Sequence, residues 1–172
     1  MNTRAFVPLN IAVLTVSDTR SLTNDPSGDL LQGRVIDGGH RLYDRQIVRD
    51  DKYAIRAVVS AWIHDPECQA IITTGGTGLT GRDGTPEAVI PLLDKEIEGF
   101  GELFRWLSFQ SIGTSTLQSR ATSGVANGTY LFILPGSTSA CRDAWDQIIH
   151  AQLDFRTRPC NMVELMPRLN EQ

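Results

Sequence analysis

The densest group of residues that could do chemistry lies in the segment 71–89, IITTGGTGLTGRDGTPEAV, which holds five glycines, five threonines, one arginine and one aspartate. A glycine-rich turn that leads towards a helix exposes backbone N–H groups and lets the main chain approach a phosphate closely. Thr85 could add a hydroxyl donor. The Walker pattern G-x-x-x-x-G-K-[ST] is absent from the sequence. We therefore predict an anion-binding turn, with a plain connecting turn as the alternative, at Gly75, Gly76, Thr77 and Gly78.

An acidic residue, Asp83, lies beside this turn. An acid would repel a phosphate unless a cation bridged the two, and Mg²⁺ is commonly held by one or two carboxylates together with phosphate oxygens. Asp50 is the candidate for the second carboxylate. Two structural alternatives stay open, because Asp50 could cap a helix and Asp83 could form an Asp-Gly turn.

Other polar residues offer weaker signals. Arg49, Arg82, Ser119 and Arg120 could bind a phosphate, or could be solvated surface side chains. The three histidines are scattered, which favours structural or exposed positions. No pairing of a nucleophile with a base stands out, so positioning and metal electrostatics are the better hypothesis for catalysis.

The elements that must position these residues follow from the hydrophobic pattern. Short apolar runs at 11–16, 41–48, 69–74 and 131–134 predict strands, and Asn127-Gly128 predicts a tight hairpin turn before the last of them. Helical spacing is clear at 55–63, where Asp50 or Asp51 is available as N-cap, and at 141–153, and helices are also predicted at 30–37 and 100–110. Thr85 is the expected N-cap of a further helix, with Pro86 at its first position.

This alternation predicts an α/β fold, a three-layer α/β/α sandwich with a mostly parallel central sheet and one β-hairpin, formed as a single domain over residues 1–172. Parallel strands end at one edge of a sheet, where ligands bind in a crevice. Four unusual segments follow the predicted strands, and we expect them to converge there: 17–20, 49–51, 75–78 and 135–137.

Composition narrows the choice of partners. The 172 residues include 41% apolar and 21% charged residues and carry a net charge of -4, which argues against a nucleic-acid partner. Cys68, Cys141 and Cys160 have neither zinc-ligand spacing nor an even number for pairing, so a cytoplasmic protein is expected. Residues 1–10 lack the apolar core of a signal peptide, and no run approaches the about 20 apolar residues of a membrane span.

Several phrases in this order closely resemble the MoaB/MogA family of molybdenum cofactor biosynthesis proteins: TVSD, TTGGTG, an aspartate before TPEA, GFGE, SR and LPGS. The resemblance runs from about residue 11 to about residue 165, and LSFQSIGTSTLQSRA and LDFRTRPCN are similar to the MoaB branch in particular. The single phrases are weak signals, whereas their joint occurrence is specific.

The resemblance implies a three-layer fold that assembles as a homotrimer or a dimer of trimers and that binds molybdopterin. It also implies adenylyl transfer, in which the molybdopterin phosphate attacks the α-phosphorus of MgATP and releases pyrophosphate. A contact with the metal-insertion protein of the same pathway would follow. Two alternatives remain: a molybdopterin-binding carrier without catalysis, and a hydrolase of nucleotide diphosphates.

By position, the resemblance gives Asp50 and Asp83 the role of essential carboxylates that act through Mg²⁺. The glycine motif would hold phosphate. The remaining matches are expected pocket residues, namely Ser17, Asp18, Gly75, Gly76, Thr77, Gly78, Thr85, Ser119, Arg120, Pro135, Gly136 and Ser137.

Overall fold

The protein is built on one six-stranded sheet in a computed structural model that describes residues 4–172, so residues 1–3 of the amino-terminal stretch lie outside the described part. The strands are Asn10–Val16 (β1), Arg41–Val48 (β2), Ala70–Thr74 (β3), Lys95–Glu96 (β4), Thr122–Ala126 (β5) and Thr129–Leu134 (β6). Their order across the sheet is β2-β1-β3-β6-β5-β4. The first four strands in this order are parallel, while β5 is antiparallel to both of its neighbours.

Helices cover both faces of the sheet. They are Pro26–Asp37 (α1), Lys52–His64 (α2), Thr85–Val89 (α3), Glu98–Ile112 (α4), Thr138–Ala144 (α5) and His150–Gln152 (α6), with a π-helical turn at Trp145–Ile149 and 3₁₀ turns at Ile90–Leu92, Gly113–Gln118 and Val163–Arg168. None of the helices within residues 4–172 combines the length and the apolar character that a membrane span requires.

Alternate residues of the strands supply two separate cores, as a sheet buried on both faces requires. Ile11 and Val13 of β1 belong to the core under α1, α4 and α5. Ala12 and Leu14 belong to the opposite core, under α2 and α3. The predicted three-layer α/β/α sandwich is therefore confirmed, as is the hairpin, where Asn127 and Gly128 have φ of 48° and 79° between β5 and β6.

One predicted helix start was wrong by one residue. Gly84, rather than Thr85, occupies the N-cap of α3 and makes no side-chain cap hydrogen bond. The Thr85 hydroxyl is committed elsewhere, because it donates to the Gly75 carbonyl oxygen at 2.8 Å. Pro86 then falls within the first helical turn, where its missing N–H leaves no bond unmade.

Candidate functional site

The candidate site lies at the carboxyl edge of the sheet, where the order of strands reverses. β1 lies between β2 and β3. The chain therefore adds β2 on one side of β1 and then crosses over to add β3 on the other side. Open α/β sheets bind ligands at such a switch point. The predicted convergence is confirmed for the neighbouring ends: Ser17 N–H donates to the Val48 carbonyl at 2.9 Å, and Gly75 N–H donates to the Leu134 carbonyl at 3.1 Å.

The glycine turn after β3 has a backbone that requires glycine. Gly75 and Gly76 have φ of 99° and 66°, in the region that side chains disfavour. A Cβ on Gly75 would lie 2.2 Å from the Val16 carbonyl oxygen, and one on Gly76 would lie 2.3 Å from Thr85 Oγ1. Gly136, in the loop after β6, would place a Cβ 3.3 Å from the Cα of Gly75. The turn is thus closely surrounded by backbone at Gly75 and by the side chains of Thr85 and Asp50 at Gly76.

The side chain of Asp50 points towards the turn and does not cap α2. Asp51 is the cap, because its carboxylate accepts from the N–H groups of Tyr53 and Ala54 at 3.0 and 2.8 Å. Asp50 accepts from the N–H of Gly84 at 3.2 Å, and a Cβ on Gly76 would lie 2.8 Å from it. The alternative role of Asp50 as a helix cap is therefore wrong.

Asp83 is the last residue of the glycine loop, which comprises residues 77–83 and follows the two turn glycines. Its Oδ2 accepts from the N–H and the hydroxyl of Thr80 at 3.0 and 2.6 Å, and a Cβ on Gly78 would lie 2.6 Å from the same oxygen. The Thr80 hydroxyl lowers the pKa of Asp83 below its ordinary value. Asp83 therefore stays ionised beside the turn. It is the last residue of a turn at Thr80–Asp83, where its N–H donates to the Thr80 carbonyl at 3.1 Å, so the Asp-Gly turn that was its alternative role is not formed.

The electrostatics of Asp50 differ from those of Asp83. Burial raises the pKa of Asp50 above 3.8, and the negative charges of Asp83 and Asp18 act in the same direction. Asp18 is itself paired with Arg82, whose Nε lies 3.1 Å from its Oδ2, and this hydrogen bond lowers the pKa of Asp18. Burial, followed by the charge of Asp83, thus disfavours the ionised form of Asp50, and a bound cation would oppose both effects.

A magnesium ion bound chiefly through substrate phosphates fits these residues. Within residues 4–172, no three His, Cys, Asp or Glu side chains are grouped so as to hold a metal by themselves. Mg²⁺ needs only one or two protein carboxylates when phosphate oxygens and water complete its coordination. The carboxylates of Asp50 and Asp83, which lie beside Gly76 and Gly78 of the turn, match that donor set.

Two cavities contain predicted site residues, and one of them borders the glycine turn. One, of about 310 Å³, is walled by Phe104 and Ala140 and brings together Thr77, Gly78, Ser119, Pro135, Gly136 and Ser137. The other, of about 540 Å³, contains the predicted Ser17 and Asp18 together with Arg20, Arg45 and Arg49. Of the other predicted residues, Thr85 lies fully buried beneath the turn.

The sequence analysis did not predict Asp25, the buried acid that pairs with Arg45 in the wall of the larger cavity. Asp25 is fully buried, accepts from Thr15 Oγ1 at 2.7 Å and pairs with Arg45 Nη2 at 2.9 Å. It also caps α1 by accepting from Gly28 N–H at 3.1 Å. The Asp-Pro pair before the helix at 26–37 was the available signal, since acid followed by proline is typical of a helix start.

Residues 12–154 match the family described as the probable molybdopterin binding domain. The chain is 58% identical over 156 residues to molybdenum cofactor biosynthesis protein B of Escherichia coli strain K12, covering 91% of this chain and 92% of the relative. It is 44% identical over 146 residues to the Bacillus cereus protein of the same name, covering 84% and 86%.

Solved structures agree with these relatives. A crystal structure of molybdenum cofactor biosynthesis protein B superimposes with a TM-score of 0.84 at 42% identity, covering 87% of this chain and 94% of that one. The tungsten cofactor synthesizing protein MoaB from Pyrococcus furiosus gives 0.71 at 33% identity, covering 83% and 91%. The chain belongs to the MoaB/MogA family of molybdenum cofactor biosynthesis proteins.

Proposed function

We propose that this protein transfers the adenylyl group of MgATP to the terminal phosphate of molybdopterin. An oxygen of that phosphate would form a new bond to the α-phosphorus of ATP, the bond to the β-phosphate oxygen would break, and pyrophosphate would leave. The observation that carries the proposal is the meeting of a glycine-requiring turn with two carboxylates, Asp50 and Asp83, at the switch point of the sheet. Relatives named for molybdenum cofactor biosynthesis support the same class of substrate.

The protein groups would act by binding and orienting the two substrates. The backbone N–H groups of the turn would bind a phosphate, since no Cβ blocks their approach. The cavity of about 310 Å³ offers apolar walls at Phe104 and Ala140 and hydroxyls at Ser119 and Ser137, which suit a flat polar heterocycle. The larger cavity offers Arg20 and Arg49, whose positive charge suits a polyphosphate.

Asp50 and Asp83 would hold the Mg²⁺ of MgATP. When bound, this ion would neutralise charge on the phosphates and so favour attack at phosphorus. Loss of one carboxylate should therefore affect turnover more than pterin binding, because the turn and the cavity remain.

We also propose that the chain assembles as a homotrimer or a dimer of trimers. The support is an apolar surface on α4 and the following 3₁₀ turn, where Leu103, Trp106, Phe109, Ile112 and Leu117 are between 43% and 85% exposed. Exposed apolar patches of this kind mark interaction sites, and a second copy of the chain is the occupant we propose. Trp106→Glu should lower the mass measured by light scattering to that of a monomer. An unchanged mass would contradict this surface.

The deciding assay measures pyrophosphate and adenylyl-molybdopterin after mixing the protein with MgATP, with and without molybdopterin. Pterin-dependent release of both products is the expected result. Pterin binding without product would instead favour the carrier, and cleavage of nucleotide without pterin would favour the hydrolase.

Asp83→Asn tests the carboxylate role within that assay. Turnover should fall by about 100-fold or more, while pterin affinity changes little. Asp37→Asn is the matched control, since Asp37 is an exposed acid at the end of α1, near the opposite edge of the sheet. Equal turnover in the two variants would contradict the magnesium assignment.

A further inference from the structure

The glycine loop that carries Asp83 has almost no apolar anchorage. Leu79, its only large apolar side chain, is 68% exposed, and Thr80, Gly81 and Arg82 are exposed as well. Thr80 holds Asp83 from within the same loop and so cannot fix the loop to the fold. The position of the Asp83 carboxylate must therefore depend on polar contacts that reach the loop from other elements.

One such contact is the Arg82–Asp18 ion pair, and it is weak support. Their side chains are 69% and 38% exposed. Ion pairs with this exposure contribute little to stability, and salt screens them. Other contacts hold the base of the loop: Gly84 N–H donates to Asp50, and Thr85 N–H donates to the Gly76 carbonyl at 2.9 Å. Neither bond is made by residues 77–83 themselves.

Arg120 makes the more protected contact. Its Nε donates to the Thr77 carbonyl at 3.2 Å, its Nη2 donates to the Asp83 carbonyl at 3.4 Å, and its Nη1 pairs with the carboxylate of Glu87 in α3. The Arg120 side chain is only 28% exposed. One planar guanidinium thus joins the two ends of the loop, 77 and 83, to the first turn of the helix that follows.

Arg120 is itself fixed by α4. Arg105 Nη1 donates to the carbonyls of Ala121 and Ser119, on either side of Arg120, at 2.9 and 3.4 Å. The helix can approach so closely because residue 101 is glycine, where a Cβ would lie 2.6 Å from the Ala121 carbonyl oxygen. α4 therefore fixes the backbone at 119–121, and Arg120 in this segment in turn contacts the loop.

We infer that Arg120 is a positioning residue, which holds Asp83 in place by joining the two ends of the glycine loop, and that it is not a direct ligand of the substrate phosphates. This inference rests on the proposed adenylyl transfer for its kinetic consequences. The guanidinium is committed to three protein groups, whereas Arg49 and Arg82 are exposed to solvent.

The test compares Arg120→Gln with Arg120→Lys, Glu87→Gln and Arg41→Gln. Arg41 is an exposed arginine at the opposite edge of the sheet, so Arg41→Gln controls for the loss of one positive charge. With molybdopterin and MgATP as substrates, Arg120→Gln should lower kcat at least 10-fold and leave both KM values within about 3-fold. Arg120→Lys should rescue little, because an ammonium lacks the planar fork that spans two carbonyls. Glu87→Gln should change kcat less than 3-fold, because the two carbonyl contacts remain.

A double variant separates positioning from binding. In an Asp83→Asn background, Arg120→Gln should cause no further loss of kcat, because the group it positions is already disabled. A further loss equal to that seen in the wild-type background would overturn the inference. So would a rise in KM for either substrate at unchanged kcat, which would make Arg120 a substrate ligand.

Hydrogen exchange gives a readout that does not depend on activity. In Arg120→Gln, amides of the loop segment 77–84 should exchange at least 10-fold faster, with amides of β1 and β3 unchanged. Unchanged exchange in the loop would overturn the inference even if the wild-type protein proves inactive, an outcome that would separately contradict the proposed function. If Arg120→Gln does not fold, the same exchange measurement on Arg120→Lys decides.

Discussion

Acid should destabilise this fold through one buried histidine. His40 precedes β2, is 5% exposed, and accepts the N–H of Leu9 on Nδ1 at 3.1 Å. Within residues 4–172 its buried Nε2 has no hydrogen-bond partner. Burial lowers the pKa of His40 from 6.5 to about 4, the nearby His150 acts in the same direction, and Asp154 opposes them.

The sign and size of the effect follow from proton linkage. Between pH 6.5 and about 4, an unfolded chain binds a proton at His40 that the folded chain does not bind, so the free energy of unfolding falls as the pH falls. Above pH 6.5, His40 is neutral in both states, and its contribution to the free energy of unfolding is fully present. Each pKa unit is worth about 1.4 kcal/mol, so about 3 kcal/mol should be lost by pH 4.

The assay is urea unfolding of wild type and His40→Asn at several values between pH 7.5 and pH 4.5. Asparagine offers Oδ1 in the place of Nδ1, so it keeps an acceptor for the Leu9 N–H and removes the titration. In His40→Asn, the free energy of unfolding should differ much less between pH 7.5 and pH 4.5 than it does in wild type. His64→Asn, on the exposed last turn of α2, should behave as wild type. Identical pH dependence in wild type and His40→Asn would refute the reasoning.

Three further substitutions test the site and its frame. Gly76→Ala should abolish pyrophosphate release and reduce stability, because its Cβ would clash within the turn, whereas Gly81→Ala in the same loop meets no atom within 4 Å and should retain activity. Asp25→Ala should lower the free energy of unfolding by about 3 kcal/mol in urea titration, because it removes the fully buried partner of Arg45, which keeps only the exposed Asp29, and leaves Thr15 Oγ1 and the Gly28 N–H without their acceptor. Leu131→Ala, at a fully buried position of β6, should cost about 2–5 kcal/mol by the same measurement, and a loss below 1 kcal/mol would contradict the description of that core.

The elements were predictable because each leaves a local pattern. β-branched runs indicated β1 and β3, and Asn127-Gly128 indicated the hairpin. The convergence of the segments that follow β1, β2, β3 and β6 was predictable too, since parallel strands must end together. The order of the strands was not, because neighbouring elements in space need not be neighbours in the chain.

The roles of single polar residues were harder to predict. Asp50 and Asp51 are adjacent acids before a helix, and only the direction of each side chain separates the cap from the residue that faces the turn. Thr85 has the residue type of an N-cap, but a contact with Gly75, ten residues earlier, takes its hydroxyl. Arg120 has the residue type of a phosphate ligand, while its partners lie in a loop some forty residues away. Such competition between local and distant partners is invisible to local patterns.

The outer strands of the sheet bear on how copies of this protein can meet. At one border β4 consists of only two residues, Lys95 and Glu96, both charged and exposed. At the other, β2 carries Asp44, Arg45 and Gln46 along its middle. Short or charged border strands discourage the backbone of another molecule from adding to a sheet. High concentration should therefore favour association through side-chain surfaces such as α4, and intermolecular strand pairing, the route to fibrils, should be disfavoured at both borders.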